Sequence, residues 1–314
     1  MVKNYNDSSN QLLKTIEEAI YRLLTVSTST VPHDVLEKLE LASIEEQSNP
    51  LIYAQLSLML ENIKNGMEKT LPICQDTGTP NFFLQLGSEF PIIDDFHSLF
   101  LEILEKLTTE GAIRPNTVDP FTQKNPKTNG GKNMPPIYLE IIPNRDDLVI
   151  TVLNKGGGAE NISALFMLTG STGLQLMKSR IVETIKNAGG MPCPPVILGV
   201  GIGGDAVKAM YLAKRALLRP LGIRNKRKEA AELEEEILKL VNQSDVGVMG
   251  LGGKTTCLDV RIEWAMRHPA SFPVGLIVQC YSHRTRSCRI TSPNIVEFGN
   301  LDSEYQFMKE EKGN

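Results

Sequence analysis

Two prolines limit this chain more than any other feature. Pro72 and Pro80 bracket Leu71-Pro72-Ile73-Cys74-Gln75-Asp76-Thr77-Gly78-Thr79-Pro80. Proline fixes φ and pushes the residue before it out of the helical region, so the stretch is an ordered loop. It puts a thiol, an amide and a carboxylate in consecutive positions, followed by a turn-forming glycine. A thiol on a constrained loop beside polar groups reads as a site and a possible soft-metal ligand.

The loop also divides the chain. Before it, apolar residues recur at helical spacing over 11–25 (Leu12, Leu13, Ile16, Ala19, Ile20, Leu23, Leu24), 34–48 and 51–66. Residues 1–70 therefore read as a helical packing or oligomer-forming segment. After it, helices and strands alternate irregularly, and 71–299 reads as a mixed α/β region of the same domain. The expectation is an α/β fold with a mixed-sheet core, a helical N-terminal segment and a polar tail at 300–314.

Strands are expected at 81–86, 194–200, 273–279 and 290–298. Ile137–Ile142 and 148–153 are expected to form a hairpin. Helices are expected at 96–107, 172–188, 205–218 and 228–241, with Ala206, Met210, Ala213, Ala216 and Leu217 facing inward in the third. The charges Glu232, Glu234, Glu235 and Glu236 read as a solvated face. Residues 120–136, rich in Asn, Gly, Lys and Pro, read as a surface loop or lid.

Composition excludes several classes. A net charge of −4 gives no basic footprint, and 1 Trp with 6% aromatics gives little to stack on bases, so nucleic acid is not the expected partner. No apolar run approaches the ~18–20 residues that span a bilayer. The polar start, Met1-Val2-Lys3-Asn4, is not a signal peptide, so the default expectation is a cytoplasmic protein. Five cysteines make a disulfide framework unexpected and leave thiols for metal or chemistry.

Three glycine-rich stretches follow. Gly199-Val200-Gly201-Ile202-Gly203-Gly204 satisfies G-x-G-x-x-G, but the acid expected about 20 residues on is missing. A tight strand-to-helix turn is the simpler reading. Lys155-Gly156-Gly157-Gly158 follows a strand and allows close backbone approach to a ligand, with a cation beside it. Gly250-Leu251-Gly252-Gly253-Lys254-Thr255-Thr256 is too short for a phosphate loop.

Among the cysteines, Cys193 lies in Met191-Pro192-Cys193-Pro194-Pro195, where an extended, rigid backbone is expected. Cys280 ends an apolar strand before Tyr281-Ser282-His283-Arg284, where cations favour thiolate. Cys257 is expected to be buried and Cys288, among basic residues, exposed. Spacing alone leaves open whether any of them binds metal, because no C-x2-C pattern occurs.

Together, the Cys74-Gln75-Asp76-Thr77-Gly78 loop, Lys155-Gly156-Gly157-Gly158-Ala159-Glu160-Asn161, Cys193-Pro194-Pro195 with its glycine run, and Gly250-Leu251-Gly252-Gly253-Lys254-Thr255-Thr256 resemble the alpha part of class I, iron–sulfur fumarate hydratases. The sister L(+)-tartrate dehydratase alpha subunits share much of this. The resemblance runs from about residue 10 to 295 and implies a [4Fe–4S] cluster on Cys74, Cys193 and Cys280, with one open iron. It implies Gln75, Arg114 and Gly157 as substrate contacts, and Asp76 and His268 as catalytic groups. Taken alone, His268 would read as a hydrogen-bonded core residue. The family's Cys-aromatic/His-Ala-x-Arg-Arg pattern is altered here to Cys280-Tyr281-Ser282-His283-Arg284-Thr285, with one arginine lost.

The chemistry implied is reversible hydration of fumarate to malate, with tartrate dehydration as the alternative. Proton abstraction belongs to a further portion, so the resemblance implies a beta subunit, an (αβ)2 assembly and a small dicarboxylate substrate. A non-catalytic iron–sulfur protein and a cluster-free domain are the competing classes.

Overall fold

The computed structural model describes residues 7–91, 95–170, 173–291 and 295–299. The expected polar tail and the first residue of the helix expected from 172 lie outside them. The chain divides into two compact units. The first comprises Met1–Pro32, Ile63–Lys155 and Arg284–Asn314, and the second His33–Asn62 and Gly156–His283. The architecture is α/β, as expected.

The expected N-terminal helices form as α1 (Asp7–Ser29), α2 (His33–Glu45) and α3 (Pro50–Lys69). α1 belongs to the first unit and α2 to the second, while α3 begins in the second and ends in the first. β1 (Thr79–Gly87) leaves the proline-bracketed loop, and α4 (Phe96–Thr109) follows. Asp95 caps α4 by accepting from Ser98 N at 3.0 Å, satisfying a backbone donor that the helix leaves open.

The strands β2 (Ile137–Ile142) and β3 (Asp147–Lys155) form, but not as a hairpin. β1 lies between them, parallel to β2 and antiparallel to β3. The reason is burial. β1 is almost wholly buried and needs a partner on each edge, whereas β2 is half-exposed and suits an edge. The connection crosses the end of β1, where Glu89 N donates to Arg145 O at 2.9 Å. Gly87 permits this crossing, since a Cβ there would lie 2.3 Å from Arg145 O. β8 (Arg284–Thr291) and β9 (Ile295–Phe298) complete the order β2-β1-β3-β8-β9.

On one face of that sheet, α1 contributes Leu12, Ile16, Ala19, Ile20, Leu23 and Leu24, and α4 contributes Leu99, Phe100, Ile103, Leu104 and Leu107. These are the i, i+3, i+4 positions of amphipathic helices. They pack on Phe82, Leu84, Ile150, Val152, Cys288 and Ile290.

The second unit starts with the one-turn α5 (Gly157–Glu160), followed by β4 (Ala164–Leu168) and α6 (Gly173–Ala188). Then come β5 (Val196–Gly204), α7 (Ala206–Ala216), α8 (Lys228–Asn242), β6 (Cys257–Arg267) and β7 (Phe272–Gln279). The sheet order is β4-β7-β5-β6. α6 and α8 cover one face with Met177, Ile181, Ile185, Ile237 and Val241. α7 lies on the other.

The G-x-G-x-x-G run is not a loop but most of β5 itself. A Cβ on Gly199 or Gly201 would lie 2.1 Å from Ala213 O or 2.0 Å from Ala209 O, so these glycines let α7 approach the strand. Gly203 and Gly204, at φ +91 and +67, then make the tight turn into α7, whose N-cap Asp205 accepts from Lys208 N at 2.7 Å. The buried face of α7 is Ala209, Leu212, Ala213 and Ala216, with Ala206 and Met210 only half-buried.

The charged face expected on α8 is interrupted. Glu234 is fully buried and pairs with Arg219, and its other oxygen lies 3.6 Å from Arg224. Residues 117–136 form no helix or named strand. No helix among the described residues is long and apolar enough to cross a membrane.

Candidate active site

In the first unit, the loop carrying Cys74 is anchored where Ile73, itself buried, donates its N–H to Thr28 O at 3.0 Å. Cys74 and Gln75 are exposed and Asp76 is half-buried. The Asp76 carboxylate is oriented from two sides: its Oδ1 accepts from Gly78 N and from Asn116 Nδ2, both at 2.9 Å. Gly78 sits at φ +85, against the backbone of Asn154 and Lys155. An L side chain is disfavoured there on both counts.

Asn116 belongs to the loop that carries Arg114. The buried hydroxyl of Thr77 accepts from Arg114 N at 3.0 Å, and Asn129 accepts from Asn116 N at 2.8 Å. Asn129 also donates to Arg114 O at 2.7 Å. Asp76, Gln75 and Arg114 are thus held on two mutually bonded loops, and the Arg114 side chain is exposed. Arg284 is buried and its Nη1 donates to the Asp76 carbonyl. The buried Lys155 stands opposite Thr79 in the β1–β3 ladder. Arg114, Lys155 and Arg284 are thus all carried on segments bonded to this loop or to the strand that leaves it.

Sequence reasoning singled out Asp76 and Arg114 but missed Thr77, Asn116, Asn129 and Arg284, which position them. Asn116, next to Pro115, had a turn signal. Arg284 stood in a polar run without any sign that it would be buried.

In the second unit, Ile197 at the start of β5 is opposite Gln279 at the end of β7, so Cys193 and Cys280 flank one end of the sheet. Their backbones are bonded: Tyr281 N donates to Cys193 O at 3.3 Å. Cys193 is exposed and, contrary to the extended backbone expected, lies in the left-handed region at φ +54. A non-glycine residue there is uncommon and must be held by its surroundings. The holders are Cys193 N to Gly190 O at 3.0 Å and Met249 N to Pro194 O at 2.8 Å. Cys280 is buried, its Sγ 3.1 Å from Ser282 Oγ.

Gly157 opens α5 and is exposed, and a Cβ on Gly158 would lie 3.0 Å from Met191 O. Gly157 therefore belongs to the Cys193 end of this unit. His268 does not. It lies exposed in the turn between β6 and β7 rather than in the core, and its Nδ1 accepts from Ala270 N at 3.1 Å. Arg267 Nη1 ties the turn together through the carbonyls of His268, Pro269 and Ser271. The whole of β7 separates His268 from Cys280, roughly 25 Å at ~3.3 Å per residue.

All five cysteines are thiols. Burial pushes the Cys257 thiol far up and, contrary to the exposure expected, also buries Cys288, whose pKa is pushed up to about 12. These two stay protonated at neutral pH and line the cores. Cys74, Cys193 and Cys280 remain as the thiols at loops, a donor set suited to a thiolate-bound group. Within either unit, among the described residues, no three Cys, His, Asp or Glu side chains are grouped to hold a metal ion. Cys193 and Cys280 belong to the second unit and Cys74 to the first.

Comparison with known proteins gives this arrangement a family. The profile described as fumarate hydratase (Fumerase) matches residues 17–289. A Methanocaldococcus jannaschii protein, provisionally named L(+)-tartrate dehydratase subunit alpha, is 43% identical over 279 residues, 88% of this chain and 97% of its own length. The L(+)-tartrate dehydratase subunits alpha of Escherichia coli UTI89 and K12 are 31% and 32% identical. The matches cover 90% and 88% of this chain, and 93% and 91% of those proteins. With the Asp76 loop, the Arg114 loop and both Cys193 and Cys280 inside the matched region, the chain belongs to the fumarate hydratase (Fumerase) family.

Proposed function

We propose that the chain is the alpha subunit of an iron–sulfur hydro-lyase and that its substrate is L(+)-tartrate, dehydrated to oxaloacetate. The observation that carries the reading is the bonded pair of loops that orients Asp76 beside Arg114. The relatives' names move the substrate from the fumarate first expected to tartrate, since each names a tartrate dehydratase. Fumarate hydration is the second reading, supported by the name of the family profile.

Cys74, Cys193 and Cys280 would hold the [4Fe–4S] cluster, which when bound supplies a Lewis acid that makes hydroxide a better leaving group. Arg114 clamps a substrate carboxylate, since a guanidinium matches a carboxylate bidentately. Gln75 donates an amide hydrogen bond to the substrate, and Gly157 a backbone N–H. The Asp76 carboxylate, fixed by Gly78 and Asn116, accepts from the substrate hydroxyl and positions it. The residue that takes the proton comes from a beta subunit, as the relatives' designation as alpha subunits suggests. His268, the other catalytic candidate, would hydrogen-bond the substrate carboxylate or hydroxyl, although in this chain it lies a sheet's length from Cys280. The protein works in the cytoplasm.

The test is anaerobic co-expression with the companion beta chain. About four irons and four sulfides per alpha chain are expected, with turnover of L-tartrate exceeding that of malate. A strong preference for malate restores the fumarate reading. An iron-free protein that turns over neither overturns both.

A further inference from the structure

Glu46 is a buried carboxylate that the dehydratase chemistry leaves unused. It follows α2, is 2% exposed, and its Oε1 accepts from Lys254 N, 208 residues further along the chain. A carboxylate enters a core at a cost unless it is hydrogen-bonded. Bonds to an ionised acceptor are the strong ones, so this bond ties two distant stretches of main chain together. Its own turn is closed by Asn49 N, which donates to Glu46 O at 2.8 Å. Lys254 Nζ adds a bond to Glu45 O at 3.3 Å.

The stretch that Glu46 holds is a strained loop. Gly247, Met249, Gly250, Gly252 and Gly253 all have φ between +54 and +99. Met249 lacks a glycine's freedom, and such a backbone persists only where its surroundings over-determine it. Within the loop, Val248 N donates to Gly252 O and Gly252 N to Val246 O, both at 3.0 Å, so it moves as one piece. At one end it abuts Glu46, since a Cβ on Gly253 would lie 2.7 Å from Glu46 Oε1. At the other it abuts the Cys193 turn. A Cβ on Gly190 would lie 2.6 Å from Met249 O, and Met249 N donates to Pro194 O at 2.8 Å. Gly190 and Pro194 bracket Cys193, whose own N–H donates to Gly190 O at 3.0 Å. Contacts thus run without a break from Glu46 to Cys193, all within the second unit.

The structure assigns Glu46 as a positioning residue for Cys193. By holding Lys254 N it seats the loop 246–254 against Gly190 and Pro194, and the seated loop keeps the exposed Cys193 in its left-handed backbone at φ +54. The turn between α2 and α3, remote in sequence from every cysteine of the site, thereby sets how one of them is presented. The assignment rests on the function proposed above only in giving Cys193 the role of a ligand.

Amide hydrogen exchange of the full-length chain, read by mass spectrometry, tests it. In Glu46→Ala the amides of Cys193 and Met249 are expected to exchange at least about tenfold faster than in the wild type, as loss of a bond to a charged group implies. Peptides from β7, in the same unit, are expected to keep their protection. Glu46→Gln keeps an acceptor at the same reach and is expected to restore most of the protection. Gly253→Ala drives a Cβ into the Glu46 carboxylate from the other side and is expected to reproduce the Glu46→Ala pattern. Should Glu46→Ala not fold, Glu46→Asp, one methylene short of Lys254 N, is expected to show that pattern in its place. Faster exchange confined to residues 253–254, equal acceleration in β7, or a Glu46→Gln variant as fast as Glu46→Ala overturns the assignment. Iron content and turnover do not enter these readouts, so an iron-free wild type would sink the dehydratase reading and leave the exchange result decisive.

Discussion

Asp147 shows how a charge can be sealed inside this protein and still stabilise it. It opens β3, is 1% exposed, and accepts from Arg145 Nε and Nη2 at 2.8 and 2.7 Å and from Arg289 Nε. Burial alone would raise its pKa, but the hydrogen bonds and charges of the two arginines outweigh that and hold it below the usual carboxylate range. With the folded pKa depressed, the ionised carboxylate contributes stability in full above the unfolded value of about 3.9. That contribution is lost as pH falls through the lower, folded value. Urea midpoints measured from pH 6 downward should therefore fall more steeply in the wild type than in Asp147→Asn below about pH 4. At pH 7 the variant should be less stable by on the order of 3 kcal/mol, because two half-buried cations lose their buried partner. Parallel pH profiles would refute the assignment. The sequence offers no warning of this site: Asp147 stands in Arg145-Asp146-Asp147, which reads as a polar turn. Glu234 and Arg284 were opaque for the same reason, since a charge enters a core only through partners distant in sequence.

Elements were legible where periodicity ran uninterrupted. α1, α3, α4 and α8 follow the 3.6-residue pattern, and β1 and β7 are short apolar runs between turn signals. β6 and β8 escaped detection because Asp259, Arg261 and Arg284 sit in buried strand positions, masking the apolar signal. The false hairpin arose because chain adjacency predicts pairing, while burial demanded that β1 take the centre. The glycine run in β5 is the sharpest case: a phosphate-cradling loop and a seam for a closely packed helix share one spelling. The seam makes a distinct prediction. Gly201→Ala pushes a Cβ onto the backbone of α7, which cannot rotate away, and should cost at least about 2 kcal/mol of stability. Denaturant unfolding reads this directly. Titration with NAD should meanwhile show no saturable binding to the wild type, and tight binding there would return the run to the dinucleotide reading.

At the scale of the molecule, neither unit is one continuous stretch of chain. The first unit draws on three segments and the second on two. α1 supplies six side chains to the apolar cluster of the first unit, Leu12, Ile16, Ala19, Ile20, Leu23 and Leu24, none more than 8% exposed. Each contributes roughly 1.5–3 kcal/mol on burial, less for alanine, so the helix accounts for on the order of 10 kcal/mol. That is comparable to the whole net stability of a typical domain, about 5–15 kcal/mol. A chain starting at residue 71 would expose Phe82, Phe100, Leu104 and Ile150, the other side of that cluster. Such a fragment should be insoluble, or show secondary structure without near-ultraviolet circular dichroism and with no cooperative melting. Adding residues 1–70 as a separate polypeptide should restore cooperativity if the helices dock as they do here. A fragment that melts cooperatively without them would mean that the sheet β2-β1-β3-β8-β9 closes its core by itself, and that α1 only covers it.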